Sequence, residues 1–255
     1  MDEKRGFLGD IREALGYSRE NARSPEECPE VFAGSDDTAV LEKIQYRTTV
    51  EKQTLLQIFQ TNARELNLNV YPVRSLDEAG EKIAAIVDAT EPEFGSAKQL
   101  IQHDHPDIAA LQLWKKFSGK AVQVHTSYSA DFEVREKTIA SYIGLSVPRW
   151  AVAESATVIQ ITEPGQPRST SLVPSVHIAL IHIGDLLADL TEVYALLRRE
   201  LPDYSYVFIS GPSKTADIEA HLVHGAHGPY AMHVIVIDEQ LERSENFKGS
   251  GLFSS

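Results

Sequence analysis

The sequence predicts an α/β fold: a doubly wound, largely parallel sheet with helices on both faces, preceded by a helical N-terminal arm. From Asn69 onward, short β-branched runs alternate with stretches of helical periodicity, which is the pattern of a parallel sheet covered on both sides. Near the C-terminus, apolar runs at 206–209 and 232–237 are separated by a polar segment, which Gly211-Pro212 opens and Gly225 with Gly228-Pro229 closes. That order reads as strand, turn, short helix, turn, strand. Ahead of Asn69, by contrast, the apolar spacing is helical.

The elements follow in order. Residues 5–16 predict a short amphipathic helix with Phe7, Leu8, Ile11 and Leu15 on one face and Gly16 at its end. A polar stretch over 18–37, with Pro25, Pro29 and Gly34, reads as a linker. A long helical pattern over about 39–66 completes an arm of residues 1–67, either a cap packed on the sheet or a docking arm for a partner. The α/β domain then spans 68–238. Its predicted strands are 70–73, a strand edge at 100–101, 121–125, strands around a tight bend within 150–161, 176–183, 206–209 and 232–237. Its predicted helices are 76–88, 108–117 closed by Gly119, 132–143 ended by Gly144, and 186–201. The polar tail, 239–255, reads as disordered.

Composition narrows the function. A net charge of −13 and a pI near 5.1 argue against nucleic acid or an anionic membrane as the main partner. Residues 1–20 are charged and lack the apolar core of a signal peptide. The most apolar window, 173–190, is broken by Pro174, His177, His182, Asp185 and Asp189, so no membrane span is expected. A cytoplasmic location is expected. Cys28 is the one cysteine. It permits no internal disulfide and no iron–sulfur cluster, which takes several thiolates; no cofactor is expected in this chain.

Several groups could carry chemistry. Ser210-Gly211-Pro212-Ser213-Lys214-Thr215 sits where a strand hands over to the predicted helix. Free amides, hydroxyls and a lysine there would bind an anion, while simple capping by Ser213 or Thr215 explains the same residues. The segment is not a phosphate-binding P-loop, which needs a glycine immediately before the lysine. Asp217 and Glu219 follow, either as first-turn carboxylates favouring the helix dipole or as acid–base groups. Glu154 interrupts the apolar run 150–161, where a carboxylate is costly unless paired, solvated or functional. His221, His224 and His227 recur at three-residue spacing, and His103 lies near His105. Gly225 and Gly228 would end the helix before His227, so the imidazoles need not converge and no metal site is expected. No nucleophile elbow is present.

Some of these segments also resemble a known family. The stretch GPSKTADIE at 211–219, followed by GAHGP at 225–229, is similar to the C-terminal signature of lactate utilization protein C, the LutC/YkgG group of the LUD domain family. Glu154, Ser155 and Thr157 match that family's E-[TS]-G-T element, with Ala156 where glycine is usual. His177 falls in a stretch similar to the family's L-x-P-x-x-H-I, and residues 7–16, FLGDIREALG, resemble its opening helix. The resemblance implies the fold of glucosamine-6-phosphate deaminases, ribose-5-phosphate isomerases and CoA transferases. It further implies a subunit of a bacterial system oxidising L-lactate to pyruvate, with iron–sulfur clusters on partner subunits. On that reading Glu154 and His227 are candidate catalytic groups. Gly211, Ser213, Lys214, Thr215, Asp217, Glu219, Thr157 and His177 are candidate ligand-binding residues for a small carboxylate or phosphate, and Gly211 to Thr215, Glu154 and His227 are expected to border one pocket at the carboxyl edge of the sheet. The alternative is a stand-alone enzyme of this fold acting on a sugar phosphate, folate or CoA ester.

Overall fold

A computed structural model describes residues 2–18, 36–92, 97–128, 133–200, 205–216, 222–224 and 228–241. Most of the expected linker and tail, with Cys28, lies outside these residues. The chain forms two compact units, residues 1–39 and 40–255. In the first, helix α1 (Asp2–Ala14) ends where Gly16 takes φ +79°, a conformation open to glycine because it lacks a Cβ. Phe7, Ile11 and Leu15 are exposed.

Helix α2 (Thr38–Gln45) opens with the Asp36 carboxylate accepting the Thr38 N–H. The continuous helix expected over 39–66 is instead broken before α3 (Thr49–Glu65). Thr48 caps α3 through a reciprocal box with Glu51, so the chain must leave helical geometry at that point.

The second unit is built on a six-stranded, wholly parallel sheet. In chain order its strands are β1 (Asn69–Val73), β2 (Lys98–Gln102), β3 (Val122–Thr126), β4 (Ile143–Ser146), β7 (Val176–His182) and β12 (Ala231–Ile237), and in space β1-β12-β7-β4-β2-β3. The second strand is therefore internal rather than an edge, with Leu100 and Ile101 fully buried. One face carries α4 (Leu76–Ala89), α5 (Pro106–Leu111) and α6 (Leu113–Lys116). Ile83, Val87, Ile108 and Phe117 pack there on Leu100, Leu145, Ile178 and Leu180. The other face buries Leu55, Phe59 and Ala63 of α3 together with Val158 against Ala179, Ile181 and Val234. Alternating residues of β7 thus serve opposite cores, as the period of two along a strand requires. Among the described residues no helix is long and apolar enough to cross a membrane.

Other expectations are corrected. The helix expected over 108–117 divides at Gln112, which sits at φ +48°. The helix expected over 132–143 is α7 (Val134–Ala140), and Gly144 lies inside β4 instead of ending a helix. A Cβ at Gly144 would meet the Thr170 carbonyl of α8 (Ser169–Leu172), so this glycine serves close packing. Leu186–Leu187 form the short strand β8, and α9 begins only at Leu190 (Leu190–Glu200).

The 150–161 region does form strands around a tight bend, β5 (Trp150–Val152) and β6 (Thr157–Ile161). They belong to a second sheet, ordered β8-β5-β6-β9, with β9 (Tyr206–Ile209) antiparallel to β6. β9 and β12 therefore occupy different sheets and make no βαβ unit. Between them stand β10 (Lys214–Ala216) and β11 (Leu222–His224), an antiparallel pair where a helix was expected. Gly-Pro followed by Ser and Thr suits a turn into a strand as readily as a helix start, and here the strand prevails.

Candidate functional site

The chain between β5 and β6 turns over residues 153–156, and three tethers hold it. Ala153 and Glu154 donate backbone N–H groups to the Leu187 and Ala188 carbonyls at 2.8 and 3.0 Å. From α3, the Asn62 amide donates to the carbonyls of Ala153 at 3.0 Å and Glu154 at 2.8 Å. Ala156 completes the turn at φ +46°, the position at which the resembling motif carries glycine. Glu154 and Ser155 are exposed, while Ala156 and Thr157 are buried. Glu154 is thus a solvated carboxylate at a turn and not a charge inside a strand, so it carries no burial cost.

Antiparallel pairing of Val158 with Ile209 brings the end of β9 beside this turn. Thr157 Oγ1 lies 2.7 Å from Ser210 Oγ and 2.8 Å from Ser155 Oγ. A chain of three hydroxyls therefore joins the Glu154 turn to the start of the Gly211–Thr215 segment. Gly211 adopts φ +90°, with Leu66 against its α-carbon. Ser213 N–H donates to the Pro229 carbonyl at 2.7 Å, and Lys214 projects into solvent at the start of β10. Thr215 pairs with Val223 through its backbone. Asp217, Glu219, His221 and His227 lie outside the described residues.

Two expectations about this region are overturned. Lys214–Ala216 is a strand, so no helix amides point at an anion here; hydroxyls and the Lys214 ammonium are the available groups. The segment also does not lie at the carboxyl edge of the parallel sheet. Ser213 is bonded to Pro229, two residues before β12, Tyr230 is bonded to Ser175 just before β7, and Gly211 abuts Leu66 ahead of β1. These contacts put it at the amino ends of those strands.

His177 is a further correction. It is fully buried in β7, its Nε2 2.7 Å from Ser146 Oγ, so its ring is shielded from solvent rather than presented at a surface. Burial drives its pKa down to about 3, with the charges of His103 and His233 adding to the effect, so it is a neutral core residue. Sequence reasoning missed Asn62. The available signal was a polar side chain in the apolar helical stripe Leu55, Phe59, Asn62, Leu66.

The Ala156 geometry makes a measurable prediction. A left-handed alanine costs about 1 kcal/mol. Ala156→Gly would relieve that, but it would lose a buried methyl worth about 0.8 kcal/mol and add glycine's backbone entropy. The opposing effects should leave the unfolding free energy from urea denaturation within about 0.5 kcal/mol of the parent. A gain above about 1 kcal/mol would mean that strain outweighs the methyl.

Comparison with known proteins identifies the family. Residues 56–237 match the family model described as the LUD domain. The chain is similar to lactate utilization protein C of Halalkalibacterium halodurans, 24% identical over 245 residues, covering 94% of this chain and 100% of that one. A stretch of 110 residues is 40% identical to lactate utilization protein C of Exiguobacterium sp., covering 41% of this chain and 48% of that one. Among solved structures, a DUF162 family protein from Deinococcus radiodurans superposes with a TM-score of 0.51 at 19% identity. That match covers 73% of this chain and 98% of the other, and it supports the fold. By the extent of the family match, this chain belongs to the LUD domain family.

Proposed function

We propose that this chain is a subunit of a bacterial L-lactate utilization system, holding a small carboxylate while iron–sulfur partner subunits accept the electrons as lactate becomes pyruvate. The observation that carries this is the Thr157–Ser210 contact, which joins two segments far apart in sequence, both similar to the family's motifs, into one hydroxyl-lined corner beside Glu154 and Gly211. Relatives named for lactate utilization support the choice of ligand. With one cysteine in its sequence, the chain is short of the thiolates that a cluster takes, which supports the reading that partners carry the clusters. In this reading Lys214 and the hydroxyls of Ser155, Thr157 and Ser210 hold the carboxylate. Glu154 contacts the 2-hydroxyl; His227, Asp217 and Glu219, which lie outside the described residues, are further candidates from their motif.

Calorimetric titration of L-lactate tests the assignment. A lost charge-assisted hydrogen bond costs about 1.5–3 kcal/mol, so Lys214→Ala should weaken binding about ten-fold or more. Lys214 is exposed at a strand start, so folding should be unaffected. Thr157→Val should weaken binding as well, by breaking the hydroxyl chain. Equal affinity in all three proteins would remove the site from this corner.

A further inference from the structure

Strands β2 and β3 end side by side, with Gln102 and Thr126 in register at their carboxyl ends. That edge is where open α/β sheets hold ligands, and a cavity of about 160 Å³ opens there. The backbone around it is firmly tied. The Gly165 carbonyl accepts the Asp104 N–H at 3.0 Å and the Ser127 hydroxyl at 2.7 Å, and the Ser127 N–H donates to the Gln102 carbonyl at 2.9 Å. Gly165 takes φ +77°, and a Cβ there would meet that of Asp104 at 2.8 Å, so glycine is what lets this loop close on the strand ends.

Two aromatic side chains line this cavity. Trp114 from α6 and Tyr128 from beyond β3 both border it while remaining 64% and 56% exposed. Single exposed aromatics are ordinary on a protein surface, whereas two at the mouth of one cavity form a stacking platform. A strained residue delivers the first of them. A helix running on through Gln112 would set Lys115 on the buried stripe of Ile108 and Leu111. Instead Gln112 takes φ +48° and the helix breaks, so that Leu113 is buried and Trp114 borders the cavity. A residue other than glycine held in the left-handed region costs energy, and such residues gather at ligand sites. Polar groups without partners complete the lining. The Asp104 side chain makes no hydrogen bond or ion pair among the described residues. Gln102 Nε2 donates to Thr126 Oγ1 at 3.1 Å, but its Oε1 is buried with no hydrogen-bond partner, which is a costly state. A terminal amide turns about a soft torsion, so an N–H donor in the cavity can meet it.

We propose that this cavity binds a planar nitrogen heterocycle of the nucleobase type, stacked against Trp114 and Tyr128 and donating its N–H groups to Asp104 and Gln102. The aromatic walls select a flat ring, and the unmet acceptors select one that carries N–H donors. The volume suits one ring system, being well below the ~300 Å³ at which sites for larger ligands begin. The site is separate from the Thr157–Ser210 corner, which lies toward the amino ends of the sheet. Calorimetric titration of adenosine, N6,N6-dimethyladenosine and D-ribose into the full chain tests it. Adenosine should bind and D-ribose should not. Dimethyladenosine, which can stack but has lost its exocyclic N–H donors, should bind about ten-fold more weakly, and Asp104→Ala should narrow that difference. Trp114→Ala and Tyr128→Ala should each weaken adenosine about ten-fold, while Trp114→Phe keeps most of the affinity. All three positions are exposed, so these variants should fold as the parent does. None should alter lactate affinity, and Lys214→Ala should leave adenosine unchanged, so the two sites stand or fall separately. Absence of adenosine binding, equal affinity for the two nucleosides, or equal adenosine affinity in the parent, Trp114→Ala and Tyr128→Ala would overturn the proposal.

Discussion

Arg47→Ala should destabilise the protein by about 3–5 kcal/mol, the cost of leaving a buried charge without its partner. The Arg47 side chain is 5% exposed and that of Glu192 is 2% exposed, with Nη2 and Oε1 2.6 Å apart. Arg47 Nη1 also donates to the Leu186 carbonyl at 2.9 Å, and Glu192 Oε2 accepts the Ala188 N–H at 2.8 Å. Truncation would strand the Glu192 carboxylate and orphan a buried carbonyl. Lys43 could not replace the guanidinium, because it approaches Glu192 only to 3.4 Å from a largely exposed position. On this chain length the loss corresponds to a fall in thermal midpoint of about 10 °C. The double substitution Arg47→Met with Glu192→Met should recover part of it, since removing both charges abolishes the unpaired-ion penalty. A single variant within about 1 kcal/mol of the parent would show that water or rearrangement solvates Glu192.

The consequence should reach the corner proposed above to hold lactate. The same clamp fixes Leu186 and Ala188, and the adjoining Leu187 and Ala188 carbonyls accept the N–H groups of Ala153 and Glu154. Lactate affinity of Arg47→Ala, measured well below its unfolding temperature, should therefore fall while Lys214 remains in place.

How much of this could be read from the chain depends on the range of the interaction involved. The strands around Val124, Leu180 and Val234 were legible because continuous β-branched runs are a local signal. Sheet membership was not legible. Whether Val207 pairs with a parallel neighbour or antiparallel with Gln160 is decided by contacts distant in sequence. The segment after Gly211-Pro212 misled for a local reason: Ser and Thr hydroxyls satisfy turns and helix caps alike, and only the pairing of Lys214–Ala216 with Leu222–His224 distinguishes them. For the candidate corner, Glu154, Thr157 and Gly211 were legible as motif residues, whereas Asn62 was hidden because its role is to hold a turn distant in sequence.

Gly144→Ala should be the most disruptive of the small substitutions. Alanine is ordinarily at least as good as glycine inside a strand, so propensity favours the change slightly. Packing opposes it far more strongly. A Cβ at Gly144 would lie 1.8 Å from the Thr170 carbonyl oxygen, 2.9 Å from its carbon and 3.0 Å from Pro174 Cγ. The first two are backbone atoms of α8, which cannot rotate away as a side chain would, so either α8 or β4 must move. β4 lies between β7 and β2 in the sheet interior, with Gly144 in register with His177 and Ile101, so displacement would break ladder hydrogen bonds on both sides. Overpacking costs about 1–3 kcal/mol where side chains can yield. Rigid backbone on one side and a paired strand on the other should place this variant at or above the top of that range. Gly184→Ala is the matching control, because a Cβ there meets nothing within 4 Å. In urea denaturation Gly184→Ala should track the parent, while Gly144→Ala should unfold at a markedly lower midpoint or fail to accumulate as soluble protein. Coincident curves for all three would mean that α8 withdraws from β4 at little cost, and that the close approach of strand and helix is not what requires glycine at this position.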